Sequence, residues 1–175
     1  QNREQMPLLI ADGRVPLSTA GLMDRRLNST RTGEWKDNYF DMGDAIVYHP
    51  DGKFKIARDA QFLREITLNS KLANGALILE NGLYESLDAP EFSSKDNGLI
   101  LNKDMKPAQI KAHPIWRHLS RDNGILNAYV DAMTPEIKKR FGYDKSMGVY
   151  VAPASKMPTV RALCVYGLEY WSLLV

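Results

Sequence analysis

Two stretches of the sequence hold the residue types that could do chemistry. In "AHPIWRHLSRDNG", residues 112–124, His118 and Asp122 are four residues apart, the spacing of neighbours on one helix face. A histidine and a carboxylate at that spacing can act as a base with its orienting partner, or share a metal ion. Two ligands are too few for a stable metal site, so we favour an ordinary side-chain contact on a helix.

The second stretch, "WKDNYFDMGD", is rich in carboxylates. Asp37, Asp41 and Asp44 precede a predicted strand, and His49 lies in the turn that follows that strand. Clustered carboxylates are the ligands that Mg²⁺ prefers, and many phosphodiester hydrolases use such sites. The alternative function is therefore a metal-dependent hydrolase of a phosphodiester or nucleotide, with His49 or His118 as the base. Aspartates are also ordinary turn residues, and on that ground we expect no cofactor.

Basic residues provide a third candidate. Arg117 and Arg121 are four residues apart and are predicted to point away from the apolar side of their helix, where they could contact phosphates. The formal net charge of the chain is only +2, whereas a nucleic-acid-binding protein needs a cation for each phosphate contact. A nucleic-acid-binding module is therefore the third hypothesis and is not the favoured one.

The elements that must position these residues are best defined around a predicted hairpin. Residues 45–48 and 53–57 are rich in strand-forming types and flank "HPDG", in which Gly52 supplies a positive φ. Residues 107–141 have helical periodicity, with a break or kink expected at Thr134-Pro135. Short strands are predicted at "MPLLIADG" and over residues 159–175, where Val160, Leu163, Cys164 and Leu168 also fit one face of a helix, the alternative for that segment. The predicted fold is α+β, a mainly antiparallel sheet with a helical layer (residues 107–141) on one side.

Length and composition favour one soluble domain over residues 1–175. The first residue is not Met, which leaves open that the chain is cut from a longer one. The single cysteine, Cys164, excludes an internal disulfide and fits a reducing compartment. There is no run of 18 apolar residues and no apolar leader segment. We therefore expect a cytoplasmic protein that does not bind membranes.

The C-terminal segment favours a role in protein association. It is apolar and includes Tyr166, Tyr170 and Trp171, residue types enriched at the centres of interfaces. With no recognisable catalytic motif in the sequence, the leading prediction is a non-enzymatic protein-interaction or assembly domain. We expect it to be oligomeric, with another protein or a second copy as partner. Burial of the same aromatics in a terminal strand is the alternative.

Overall fold

An antiparallel sheet is the centre of the computed structural model, which describes residues 2–29, 32–80, 82–153, 156–168 and 172–174. Its strands are β1 Phe40–Tyr48, β2 Lys53–Ala57, β3 Leu72–Ala73, β4 Ala76–Ile78, β5 Glu91–Ser93, β6 Gly148–Tyr150, β7 Thr159–Val165 and β8 Ser172–Leu174. The main path runs β3-β4-β7-β1-β2-β5, and β8 pairs with both β7 and β6. All pairings except β6 with β8 are antiparallel, so the predicted α+β class is confirmed.

Helices cover the sheet on both faces. They are α1 Asn2–Ala11, α2 Thr19–Asn28, α3 Thr32–Asp37, α4 Gln61–Arg64, α5 Leu83–Ser86, α6 Pro107–Ala112, α7 Pro114–Ser120 and α8 Asn123–Phe141. Within the described ranges, no helix is long and apolar enough to cross a membrane.

The β1–β2 hairpin forms as its turn residues predict. Ala45 pairs with Ala57, Tyr48 pairs with Phe54, and Gly52 has a φ of +92°. The Asp51 carboxylate accepts a hydrogen bond from the backbone N–H of Lys53 at 2.9 Å, which closes the turn locally. Short-range turn chemistry therefore fixes the register of the two strands that organise the sheet.

Two apolar clusters lie on opposite faces of the sheet. The larger one packs β1, β2, β6 and β7 against α2, α6, α7 and α8, and its largest buried side chain is Trp116. The smaller cluster lies under α4 and α5 and includes Ala45, Val47, Leu63 and Val160. The layer predicted for residues 107–141 thus covers one face, and shorter helices cover part of the other.

The sequence prediction differs from the structure in two places, the N-terminal segment and the C-terminal strand. "MPLLIADG" belongs largely to helix α1 and not to a strand, because so short an apolar run has no distinguishing periodicity. At Thr134-Pro135, where a break or a kink is expected, the chain forms one helix, since α8 continues through Pro135. Residues 107–141 form three helices in all, and the C-cap of α7 is Arg121, whose φ of +63° is left-handed. The strand predicted over 159–175 is present only as two strands, β7 and β8, because the chain leaves the strand conformation at residues 166–168 between them.

Candidate functional site

The three aspartates of "WKDNYFDMGD" lie in three different environments. Asp37 ends α3, before the sheet begins, and forms an ion pair with Arg140 at 2.8 Å. Asp41 and Asp44 are both on β1 but contact opposite sides of it. Asp41 lines a cleft with Cys164, whereas Asp44 contacts the start of α2 in the main core. Across the described ranges, no group of three His, Cys, Asp or Glu side chains could hold a metal ion.

Asp44 is fully buried and has backbone partners on both carboxylate oxygens. Oδ2 accepts the N–H of Thr19 at 2.7 Å, and Oδ1 accepts the N–H of Asp59 at 3.0 Å. Arg121 Nη2 lies 3.7 Å from Oδ1. Thr19 is the first residue of α2, so the Asp44 side chain lies at the N-terminal end of that helix. Asp44 therefore ties α2 to the sheet.

A polar cleft beside Asp44 brings together two further residues predicted from sequence, His118 and Arg121. Its volume is about 510 Å³. Arg121 forms an ion pair with Asp59 at 2.6 Å, and both residues line the cleft. The remaining lining residues, which the sequence analysis did not select, are Ile56, Arg58, Asp88, Ala89 and Pro90.

His118 is a neutral imidazole at neutral pH in this cleft. Burial lowers its pKa, and the nearby Arg58 guanidinium lowers it further. Its Nε2 lies 3.0 Å from the carbonyl oxygen of Ile56, which can only accept, so Nε2 carries the proton. The Nδ1 atom is then an acceptor. The arrangement suits the binding of a polar group, but the cleft offers no Ser, Cys or Thr nucleophile among its lining residues.

Asp122 and Arg117, which the sequence analysis paired with His118 and Arg121, do not line this cleft. Asp122 does not meet His118 on one helix, because it caps α8 by accepting the N–H groups of Gly124 and Ile125. Arg117 donates to Asn123 at 3.0 Å, and the left-handed backbone at Arg121 separates the two arginines. Neither the His–Asp pair nor the Arg117/Arg121 face therefore forms as the four-residue spacing predicts.

His49 lies at the opposite end of the hairpin from the polar cleft. Its Nδ1 is 2.8 Å from Asp51 Oδ1, and its ring centroid is 4.8 Å from that of Tyr84. His118, by contrast, contacts Ile56 near the far end of β2. The two candidate bases therefore belong to separate environments.

An apolar cleft occupies the sheet face opposite the main core. It has a volume of about 780 Å³ and lies between β1, β4, β7 and the helices α1 and α4. Three charged residues, Arg14, Asp41 and Arg161, join an otherwise apolar lining. Burial, followed by the nearby Asp41 carboxylate, raises the pKa of the Cys164 thiol to about 11. The thiol is therefore protonated at neutral pH and is not an activated nucleophile.

An aromatic surface lies where α3 meets β1 and where β7 ends. We call it the Tyr39 surface and define it by Asp37, Tyr39, Arg140, Tyr143 and Tyr166. Tyr39 is 70% exposed, and its ring lies 6.3 Å from that of the half-buried Tyr166. Arg140 pairs with Asp37 and lies over the Phe141 ring, which stacks on Tyr143, itself 52% exposed. Of the predicted interface residues, Tyr170 and Trp171 lie outside the described residues.

The backbone beneath the Tyr39 surface is held by buried contacts. Arg26 Nη2 donates to the carbonyl oxygens of Asn38 at 3.1 Å and Tyr166 at 2.9 Å. Gly167 packs directly on Asp37, since a Cβ atom at Gly167 would lie 2.6 Å from the Asp37 carbonyl oxygen. The exposed Tyr39 ring and the half-buried Tyr166 ring therefore project from a fixed backbone.

The sheet and the helices on both of its faces define an α+β domain. No protein-family model matches the sequence, and no curated protein matches it. The chain is similar to a solved structure from a study of how the C-type lectin fold accommodates massive sequence variation in Nanoarchaeota. The TM-score is 0.67 and the identity is 14%, over 91% of this chain and 80% of that one. At this identity, the similarity establishes the fold alone.

Proposed function

We propose that the chain is a non-enzymatic interaction domain that assembles through the Tyr39 surface, with a second copy of itself as the partner. The observation that carries this proposal is the exposure of Tyr39 beside a backbone that Arg26 and Gly167 hold in place, with Tyr143 exposed on the same surface. Tyrosine and arginine are the residue types that most often dominate interface energetics. A rigid surface also loses little conformational entropy on binding.

The fold supports the same proposal. The solved neighbour is described as accommodating massive sequence variation, so in that protein the fold tolerates extensive change of its side chains. A scaffold of this kind suits a domain whose surface residues are selected for binding. Tyr170 and Trp171 are included in the proposed interface on sequence grounds, because they follow β7 closely along the chain. We also propose a cytoplasmic location, which the single thiol of Cys164 fits.

Sedimentation velocity from about 1 to about 200 µM protein tests the proposal, because self-association depends on protein concentration. We expect a concentration-dependent oligomer whose dissociation constant rises about tenfold or more in Tyr39→Ser, as for an interface hot spot. Leu68→Ser is the matched control, since Leu68 is 64% exposed and lies outside the Tyr39 surface. A protein that stays monomeric throughout, or an oligomer that both variants weaken equally, would contradict assembly through this surface.

A further inference from the structure

We propose that the polar cleft binds a free α-amino acid, with its carboxylate on Arg58 and its ammonium group on Asp88 and His118. The volume of the cleft, about 510 Å³, lies within the range of small-molecule sites. This inference goes beyond the proposed assembly function and does not depend on it, because the polar cleft and the Tyr39 surface share no residues.

The Arg58 guanidinium provides the site for the carboxylate. Arg58 directly follows β2, and the alternation of the strand places it on the same face as Phe54 and Ile56, whose side chains enter the main core. It therefore points towards α7, where its charge acts on the His118 ring. In the part of the chain that the structure describes, no protein group accepts a hydrogen bond from Arg58. Its donors remain for a ligand, and a guanidinium can hold a carboxylate through two parallel hydrogen bonds.

The Asp88 carboxylate provides a negative charge beside Arg58. The strands β2 and β5 pair antiparallel, and the N–H of Ile56 donates to the carbonyl oxygen of Pro90 at 3.2 Å. Arg58 is two residues beyond Ile56, and Asp88 is two residues before Pro90, so both lie at the same end of this pairing. Asp88 is exposed and has no ion pair among the described residues. The cleft therefore offers one cation and one anion that are not paired within the protein.

The His118 ring adds a hydrogen-bond acceptor between these two charges. Its Nε2–H is committed to the carbonyl oxygen of Ile56 at 3.0 Å, which leaves Nδ1 as an acceptor. A ligand that fits this atom must bring an N–H or O–H donor. A primary ammonium group supplies three such donors, enough for Asp88 and His118 together.

Arg121 does not favour a second anionic group in the cleft. Its Nη2 lies 2.6 Å from Asp59 and 3.7 Å from Asp44, so two carboxylates already balance its charge. Together with Asp88, the cleft and the buried Asp44 beside it hold three carboxylates against two guanidinium groups. A purely anionic ligand would meet this excess of negative charge, and a pure cation would meet the unpaired Arg58. A zwitterion adds no net charge and provides a partner for both unpaired groups.

An NMR titration of the full chain tests the proposal, with the ring nitrogens of His118 as the reporter and His118→Gln to identify their signals. Glycine is the ligand. Acetate has only the carboxylate, methylamine has only the ammonium group, and betaine has both charges but no N–H donor. We expect glycine to bind with a dissociation constant of about 1 mM or lower and to shift the Nδ1 signal. Each of the other three should bind about tenfold more weakly or not at all, because each lacks one partner.

Two variants at exposed positions locate the charged groups. Arg58→Gln and Asp88→Asn should each weaken glycine binding by about tenfold, while thermal melts confirm that both variants are folded. Arg117→Gln is the matched control, since Arg117 is exposed on α7 outside the cleft, and it should change the affinity less than about threefold.

Three results would overturn the proposal. The first is the absence of glycine binding at about 10 mM ligand. The second is acetate binding as tightly as glycine, which would indicate a simple anion site. The third is glycine binding that neither Arg58→Gln nor Asp88→Asn changes, which would indicate a site elsewhere on the protein.

Discussion

Arg26 is a fully buried arginine whose partners are all uncharged. Its Nε donates to the carbonyl oxygen of Trp35 at 2.7 Å, and its Nη1 donates to the hydroxyl of Tyr129 at 2.9 Å. Its Nη2 donates to the carbonyl oxygens of Asn38 and Tyr166. One side chain thus joins α2, α3, α8 and the end of β7. Within the described ranges, no carboxylate forms an ion pair with it.

Replacement of Arg26 by Met keeps a long unbranched side chain but removes all four hydrogen bonds. At a net contribution of about 1 kcal/mol each, the loss is about 4 kcal/mol. Carbonyl groups left unpaired add to this loss, whereas relief from burying a charge offsets part of it. We therefore expect Arg26→Met to lower the free energy of unfolding by about 3 to 5 kcal/mol, a large fraction of the about 5 to 15 kcal/mol typical of a domain.

Urea denaturation followed by far-UV circular dichroism measures this effect. With an m value of about 2 kcal/mol/M, the midpoint should fall by about 2 M. Arg25→Met is the matched control, because Arg25 is the exposed neighbour whose guanidinium lies over the Trp35 ring at 4.8 Å. Loss of that contact should cost about 1 kcal/mol or less. If Arg26→Met lies within about 1 kcal/mol of this control, the four hydrogen bonds contribute no net stability and the reasoning is refuted.

Two further predictions concern pH and backbone packing. Burial lowers the pKa of both His113 and His118, so the unfolded chain binds more protons than the folded one at acid pH. The free energy of unfolding should therefore fall as the pH drops below about 6.5, the pKa of histidine in the unfolded chain. Urea titrations at several pH values measure this dependence, and His113→Gln should make it less steep. An unchanged pH dependence would exclude His113 as one of its causes. Gly167→Ala should destabilise the fold by about 1 to 3 kcal/mol, because its Cβ would lie 2.6 Å from the Asp37 carbonyl oxygen. Thermal melts of both variants measure this, with Gly33→Ala as the control, because no atom lies within 4 Å of the methyl group it adds and its effect should be close to zero. Equal destabilisation by Gly167→Ala and Gly33→Ala would contradict the packing argument.

The parts of the fold that could be predicted are those set by local chemistry. The β1–β2 hairpin follows from Asp51 and Gly52, whose turn preferences act within four residues. The helical character of residues 107–141 follows from periodicity, but the ends of its helices do not. Arg121 takes a left-handed conformation where its side chain also reaches Asp59 and Asp44. Those contacts are 62 and 77 residues away along the chain, so no local pattern indicates them.

The candidate site was predictable only in part, for the same reason. Asp44, His118 and Arg121 were selected by residue type, and the structure brings His118 and Arg121 into one cleft with the buried Asp44 beside Arg121. Arg58, Asp59 and Asp88 complete that cleft from the ends of other elements and carry no pattern of their own. The buried role of Arg26 could likewise not be predicted from the sequence. An arginine near the C-terminal end of α2 is expected to face solvent and to interact favourably with the helix dipole.

The divergence of Asp41 and Asp44 follows from the geometry of β1 itself. Successive side chains of a strand point to opposite faces, and on β1 Met42, Ile46 and Tyr48 enter the main core. Asp41 points to the other face, towards Cys164. β2 pairs with β1 only over residues 45–48, and the pairing of β1 with β7 shifts between Asp41 and Ala45, so Asp44 lies in an irregular stretch of the strand. Asp41 contacts Cys164 and Asp44 contacts Thr19 and Asp59, so the spacing that predicted a shared metal site instead assigns each carboxylate to a different surface.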